Sequence, residues 1–131
     1  MQNMTGYNAY KNNSVNYASK EQLLLMLVDG AVKFSKRALK AMDEQNVSLV
    51  HENLLKTQNI FNELIVTLDV NAGGEWAINL RSVYAFIVQS LTKINFSKSK
   101  EEMEKLIPVI KEVRDLWHEA YNKSKGGVVN V

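Results

Sequence analysis

Chemistry needs particular side chains at particular spacings, and this chain of 131 residues offers few of them. Its imidazoles are His51 and His118, and it has no cysteine, which removes disulfides, thiol catalysis and thiolate metal sites and suits a reducing compartment. A di-iron helical bundle needs two Glu-x-x-His pairs and two further inward glutamates. The nearest approach is the single pair Asp115-x-x-His118, which has no second copy and reads as a solvated helix face. Glu101, Glu102 and Glu104 crowd the first turn of a helix. Acids there are favoured by the positive end of the helix dipole, a sufficient reason for the cluster without paired-carboxylate catalysis. Gly73-Gly74 lacks the Lys-Ser/Thr of a phosphate loop and follows no strand, so it reads as a turn. Lys33, Lys36, Arg37 and Lys40 form a basic patch suited to solvation or to an acidic partner. No catalytic, metal or cofactor residue is expected.

The elements around these residues are helical. Ser19 and Gln22 have the spacing of a capping box, so a helix begins at Ser19 and runs to Met42. Leu24, Leu27, Val28, Ala31, Phe34, Ala38 and Met42 line one face of it, while Leu23, Leu25, Met26 and Val32 fall outside. A helix apolar on more than one side must be covered on more than one side, by a bundle or by a partner. Asp43 to Asn46 is a short connector, with Asn46 or Ser48 as the next cap. The second helix is expected over Val47 to Val70, with Val50, Leu54, Phe61, Leu64, Ile65 and Leu68 inward and Ile60, Val66 and Val70 beside them; the glycine pair ends it.

Glu75 opens the third helix, whose inner side is Trp76, Leu80, Val83, Tyr84, Ile87, Leu91 and Ile94, with Ala77, Phe86 and Val88 off it. Ser99 and Glu102 form a second capping box for a fourth helix that turns Met103, Leu106, Ile110, Val113, Trp117 and Ala120 inward. Pro108, about two turns in, predicts a bend or a later start, and Gly126-Gly127 ends the element. Short connectors make antiparallel neighbours, so the expected fold is all-α: an antiparallel four-helix bundle over residues 19–124. Residues 1–18 are expected to form an N-terminal arm that caps the bundle through its tyrosine rings, the alternative being a frayed tail, and residues 125–131 a flexible tail.

Composition narrows the partners. Hydrophobic residues make up 46% and charged residues 23%, the proportions of a folded globular chain. A net charge of +2, with 16 basic and 14 acidic residues intermixed, gives no basic face for nucleic acid. The N-terminus lacks the basic and apolar regions of a secretory signal, and the apolar run Leu23 to Val28 is far shorter than the roughly 20 residues of a membrane span, so a cytoplasmic protein without membrane insertion is expected. What remains is apolar surface flanking every core stripe. It is either grooves for an amphipathic helical peptide, or the surface of a tightly wrapped or dimeric bundle.

The string ASKEQLLLMLVDGAVKF resembles the signature of the flagellin-specific export chaperone family FliS, whose members typically read T-A-S-P-x-Q-L-L-x-M-L-Y-D-G-A here. NELIVTLDVNAGGEWAINLRSVYAFIVQSL is similar to that family's second block, and VRDLWHEAY to its closing Leu-Arg-Asp-Ala-Trp segment. The resemblance implies a non-enzymatic bundle without cofactors that binds the disordered C-terminal segment of flagellin, prevents premature polymerisation and presents it to the export gate protein FlhA of the type III apparatus. It also implies an N-terminal segment that covers part of the binding surface in the free state, matched here by Gly6, Tyr7, Ala9 and Tyr10. The expected groove residues are Leu23, Leu27, Ile60, Leu64, Tyr84, Ile87, Leu91 and Ile94, with Tyr7 and Tyr10 as displaceable cover and Asn79 and Arg81 as further partner contacts. Lys20 stands where the family usually has proline, and Val28, where it usually has an aromatic, removes ring area near the groove. The rival readings are a metal- or cofactor-holding bundle and a self-associating structural bundle; a weak homodimer is compatible with the chaperone reading.

Overall fold

The computed structural model describes residues 19–129, so the expectations for the N-terminal arm with Tyr7 and Tyr10, and for the last two residues, lie outside the described residues. Helix α1 spans Lys20–Asp43, α2 Val47–Thr67, α3 Val70–Ser97 and α4 Lys100–Val129, with no strand among the described residues. Each helix packs against two others in the cyclic order α1, α2, α3, α4, and the α3–α4 contact is the sparsest of the four. Side chains tie the neighbours in antiparallel register. Gln58 Nε2 donates to Thr92 Oγ1 at 2.6 Å and His51 lies against Asn95 across α2 and α3. His118 meets Asp29 at 2.7 Å and Lys100 meets Asp43 at 2.5 Å across α1 and α4.

The capping box at Ser19 is present in both directions. Gln22 N donates to Ser19 Oγ at 3.1 Å, and Ser19 N donates to Gln22 Oε1 at 2.9 Å. Loss of proline at Lys20 therefore leaves the start of α1 intact. Asn46, rather than Ser48, caps α2 by accepting from Leu49 N. At α4 only half of the expected capping box forms: Glu102 N donates to Ser99 Oγ at 3.2 Å, while Ser99 N donates to Ser97 Oγ at 3.2 Å instead of to the Glu102 side chain.

Three expectations are corrected. α2 ends at Thr67 instead of Val70, because Leu68 turns extended and Asp69 already caps the next helix by accepting from Ala72 N. α3 accordingly opens at Val70, five residues before Glu75, and its first turn is separated from the rest by Gly74 at φ 60°, ψ −140°. The glycine pair thus marks a kink inside a helix. α4 runs unbroken from Lys100 past the exposed Pro108, so there is no later start, and continues through Gly126 and Gly127 to Val129.

The core is the inner stripe of each helix: Val28, Ala31 and Ala38 from α1, Leu54, Phe61 and Leu64 from α2, Leu80, Tyr84, Ile87 and Leu91 from α3, Met103 and Ile110 from α4. Phe61 and Tyr84 meet at its centre as a tilted ring pair with centroids 5.8 Å apart. Val32 and Ala77, placed off the inner faces by periodicity, are buried, whereas Trp76, Val83 and Ala120 are exposed. The buried polar groups bond within their own helices: Ser35 to Val32 O, Thr57 to Asn53 O and Asn53 to Leu49 O. These three side chains are therefore satisfied without leaving their own helices.

Candidate functional site: an apolar groove between α1 and α2

The side chains with catalytic potential are spent on structure. Asp115 pairs with Arg114 at 2.9 Å and His118 with Asp29, so the Asp115-x-x-His118 pair converges on nothing. Glu101 and Glu102 face Lys105 on an exposed turn. No group of three or more His, Asp or Glu residues capable of holding a metal occurs among the described residues.

The feature that remains is a groove of about 880 Å³ between α1 and α2. Met26, Leu27 and Phe34 form one wall and Leu55, Ile60 and Val66 the other. Met26 is 41% exposed, Leu55 39% and Val66 79%, so large apolar side chains face solvent together along one trench. Such a patch on a folded chain marks an interaction surface. Gly30 forms part of the floor: a Cβ there would stand 3.3 Å from Ile60 Cδ1, so its lack of a side chain opens the trench at mid-length. Lys33 Nζ and Lys56 Nζ lie 4.8 and 5.2 Å from the centroid of the Phe34 ring, with Arg37 at 5.7 Å. One end of the groove therefore carries Lys33 and Lys56 at an aromatic ring, with Glu52 also in its lining and Arg37 just outside it. Glu63 and Asn62 line the other end, near Val66.

Of the expected groove residues, Leu27 and Ile60 line this trench. Leu23 is half-buried nearby on α1. Leu64 and Tyr84 line a separate, smaller cavity at one end of the bundle. Ile87, Leu91 and Ile94 are buried in the core, 0 to 3% exposed, and so are closed to a partner while the bundle is intact. Val28 is also core, at 1%, so its departure from an aromatic alters the interior rather than the groove. Sequence reasoning passed over Gly30 and Leu55 and set Phe34 among the core residues. The available signal was Leu54-Leu55, an adjacent apolar pair that a helix cannot turn the same way. Ile78, Phe86 and Phe96 are exposed singly along α3, and Asn79 and Arg81 are exposed next to Ile78 and Leu80 in the chain.

A four-helix bundle whose described residues leave a largely apolar trench open to solvent has the form of a binding module. The comparisons with known proteins agree. The family profile described as flagellar protein FliS matches residues 1–124, and the chain belongs to that family. It is 34% identical to the flagellar secretion chaperone FliS of Campylobacter jejuni, covering 93% of this chain and 95% of the relative. It is 31% identical to that of Bacillus subtilis, covering 91% and 88%, and 30% identical to that of Salmonella typhimurium, covering 95% and 96%. A crystal structure of a bacterial flagellar chaperone superposes with a TM-score of 0.72 at 14% identity over 92% of this chain and 98% of that one, which supports the all-α four-helix fold. The function is that of a flagellar secretion chaperone, and the protein is not an enzyme. No helix among the described residues is long and apolar enough to cross a membrane.

Proposed function

We propose that this chaperone holds the C-terminal segment of flagellin in the cytoplasm, keeps it from polymerising before export and presents it to the export gate protein FlhA. The observation that carries the reading is the α1–α2 trench, whose walls are apolar and whose volume of about 880 Å³ suits a run of side chains from one amphipathic helix. An unfolded segment loses conformational entropy when it orders on the bundle, and recovers that cost by burying its apolar face against Met26, Leu27, Phe34, Leu55, Ile60 and Val66. The cations around Phe34 suit the negative C-terminal end of such a helix or acidic side chains near it. The N-terminal arm, through Tyr7 and Tyr10, competes for the same surface until the client arrives. With the trench filled, Asn79 and Arg81 on the outer side of α3 remain free for the gate protein.

Leu55 is the residue to test, because it lines the trench without belonging to the core. Leu55→Glu places a charge on the apolar wall, and is expected to weaken binding of a synthetic flagellin C-terminal peptide at least tenfold while the thermal melt stays unchanged. Undiminished affinity would remove the trench as the client site. Deleting residues 1–17 is expected to tighten binding, and equal affinity would remove the competing arm.

A further inference from the structure

A second cavity, of about 250 Å³, lies at the end of the bundle remote from the Lys100–Asp43 pair, where Leu24 of α1, Leu64 and Leu68 of α2, Trp76 and Tyr84 of α3 and Trp117 of α4 converge. The two tryptophans of the chain form its aromatic wall, meeting edge to face with centroids 5.7 Å apart and planes at 80°. Trp76 is half exposed, and Gly74 two residues earlier supplies the backbone turn after which it is placed. Beneath lies Tyr84, 1% exposed. Its Oη accepts from Trp117 Nε1 at 2.7 Å, but its own O–H reaches no acceptor among the described residues. Burial pushes the phenol up to about 12, so it holds that proton, and remains a donor, throughout the neutral range.

A buried donor without an acceptor is costly and uncommon, and this one, unmatched among the described residues, stands on the wall of a cavity. The complement is an apolar body carrying a neutral hydrogen-bond acceptor. Asp69 at the rim, with no cation among the described lining residues, argues against an anion. A peptide residue has this form when its carbonyl is not already engaged, as in an extended stretch or the last turn of a helix.

We propose that this cavity receives one bulky apolar residue of the client chain, whose main-chain carbonyl accepts the Tyr84 hydroxyl. The proposal rests on the chaperone reading above and adds to it a second anchor point, separate from the α1–α2 trench. It explains why Leu64 and Tyr84, buried from bulk solvent, still border open space.

The two tryptophans make the test direct. In the full chain labelled with 5-fluorotryptophan, both fluorine resonances are expected to shift saturably on titration with a flagellin C-terminal peptide, and with N-acetyl-leucine methylamide as a minimal probe. Thr67 is exposed at the cavity rim, so Thr67→Phe plugs the mouth without entering the core. It is expected to lower peptide affinity about tenfold and to abolish the shifts caused by the small probe. Tyr84→Phe removes the donor and is expected to weaken both ligands by roughly three- to tenfold. Peptide that binds all three proteins equally, or without moving either resonance, overturns the cavity proposal and leaves the chaperone reading standing. Peptide that does not bind the unaltered protein overturns the client reading instead. The small probe then decides the cavity alone: saturable shifts support a site for an apolar residue with a carbonyl, and none means that water suffices for Tyr84.

Discussion

Single residues separate what stabilises this chain from what makes it useful. Gly30 sits inside α1, where glycine is less favourable than alanine by roughly 0.8–1 kcal/mol. The only obstacle to a Cβ there is the tip of Ile60, which borders open groove and can give way. Gly30→Ala is therefore expected to raise stability by about 0.5–1 kcal/mol in a denaturant titration while reducing affinity for the flagellin peptide several-fold, a trade between stability and function. Tyr84 predicts a pH dependence. Its folded value is raised to about 12 from the ordinary 10.0, so between these values the unfolded chain has released a proton that the folded chain retains. Stability is then complete below pH 10 and falls as pH rises towards 12, by on the order of 2 kcal/mol. Tyr84→Phe should flatten that limb of the profile; an unchanged alkaline fall would assign it to other groups.

The elements show why some boundaries were legible and others were not. Ser19 and Gln22 announce α1 because a capping box is a local device, complete within four residues. The α2–α3 junction misleads because two local signals compete: the glycine pair reads as a terminator, yet Asp69 caps a new turn before the chain reaches it. Gly74 nonetheless needs to be glycine. At φ 60°, ψ −140° it occupies a region nearly closed to other residues, and a Cβ there would meet no atom within 4 Å. Gly74→Ala is expected to cost about 1–3 kcal/mol, all of it backbone strain, measurable by thermal melting. Pro108 makes the opposite point. It is tolerated inside α4, exposed, without interrupting the helix, although it lacks the N–H that would bond to Glu104. Pro108→Ala should stabilise the protein by roughly 1–3 kcal/mol, and a loss of stability would mean that the ring makes a contact of its own.

At the scale of the whole molecule, helical periodicity shows which side chains share a face and leaves open what covers that face. It identified the four stripes that became the core, and for the same reason Ile87, Leu91 and Ile94, expected in a groove, lie at the centre where the stripes meet. The trench is built from the flanks of two stripes, from Met26, Leu55 and Val66: the sequence shows them as surplus apolar residues, and only the placed neighbouring helix shows that they face one another. The resemblance in three sequence blocks supplied the family, which the family match over residues 1–124 bears out; the location of the trench needed the packed helices. The central claim is that this bundle leaves apolar surface open so that an unfolded flagellin tail can complete it. Isothermal titration of the full chain with a flagellin C-terminal peptide at several temperatures, followed by circular dichroism of the complex, measures that directly. A negative heat-capacity change and helical signal beyond the sum of the two components are expected. Binding heat that does not change with temperature, with no helix gained, would contradict that claim.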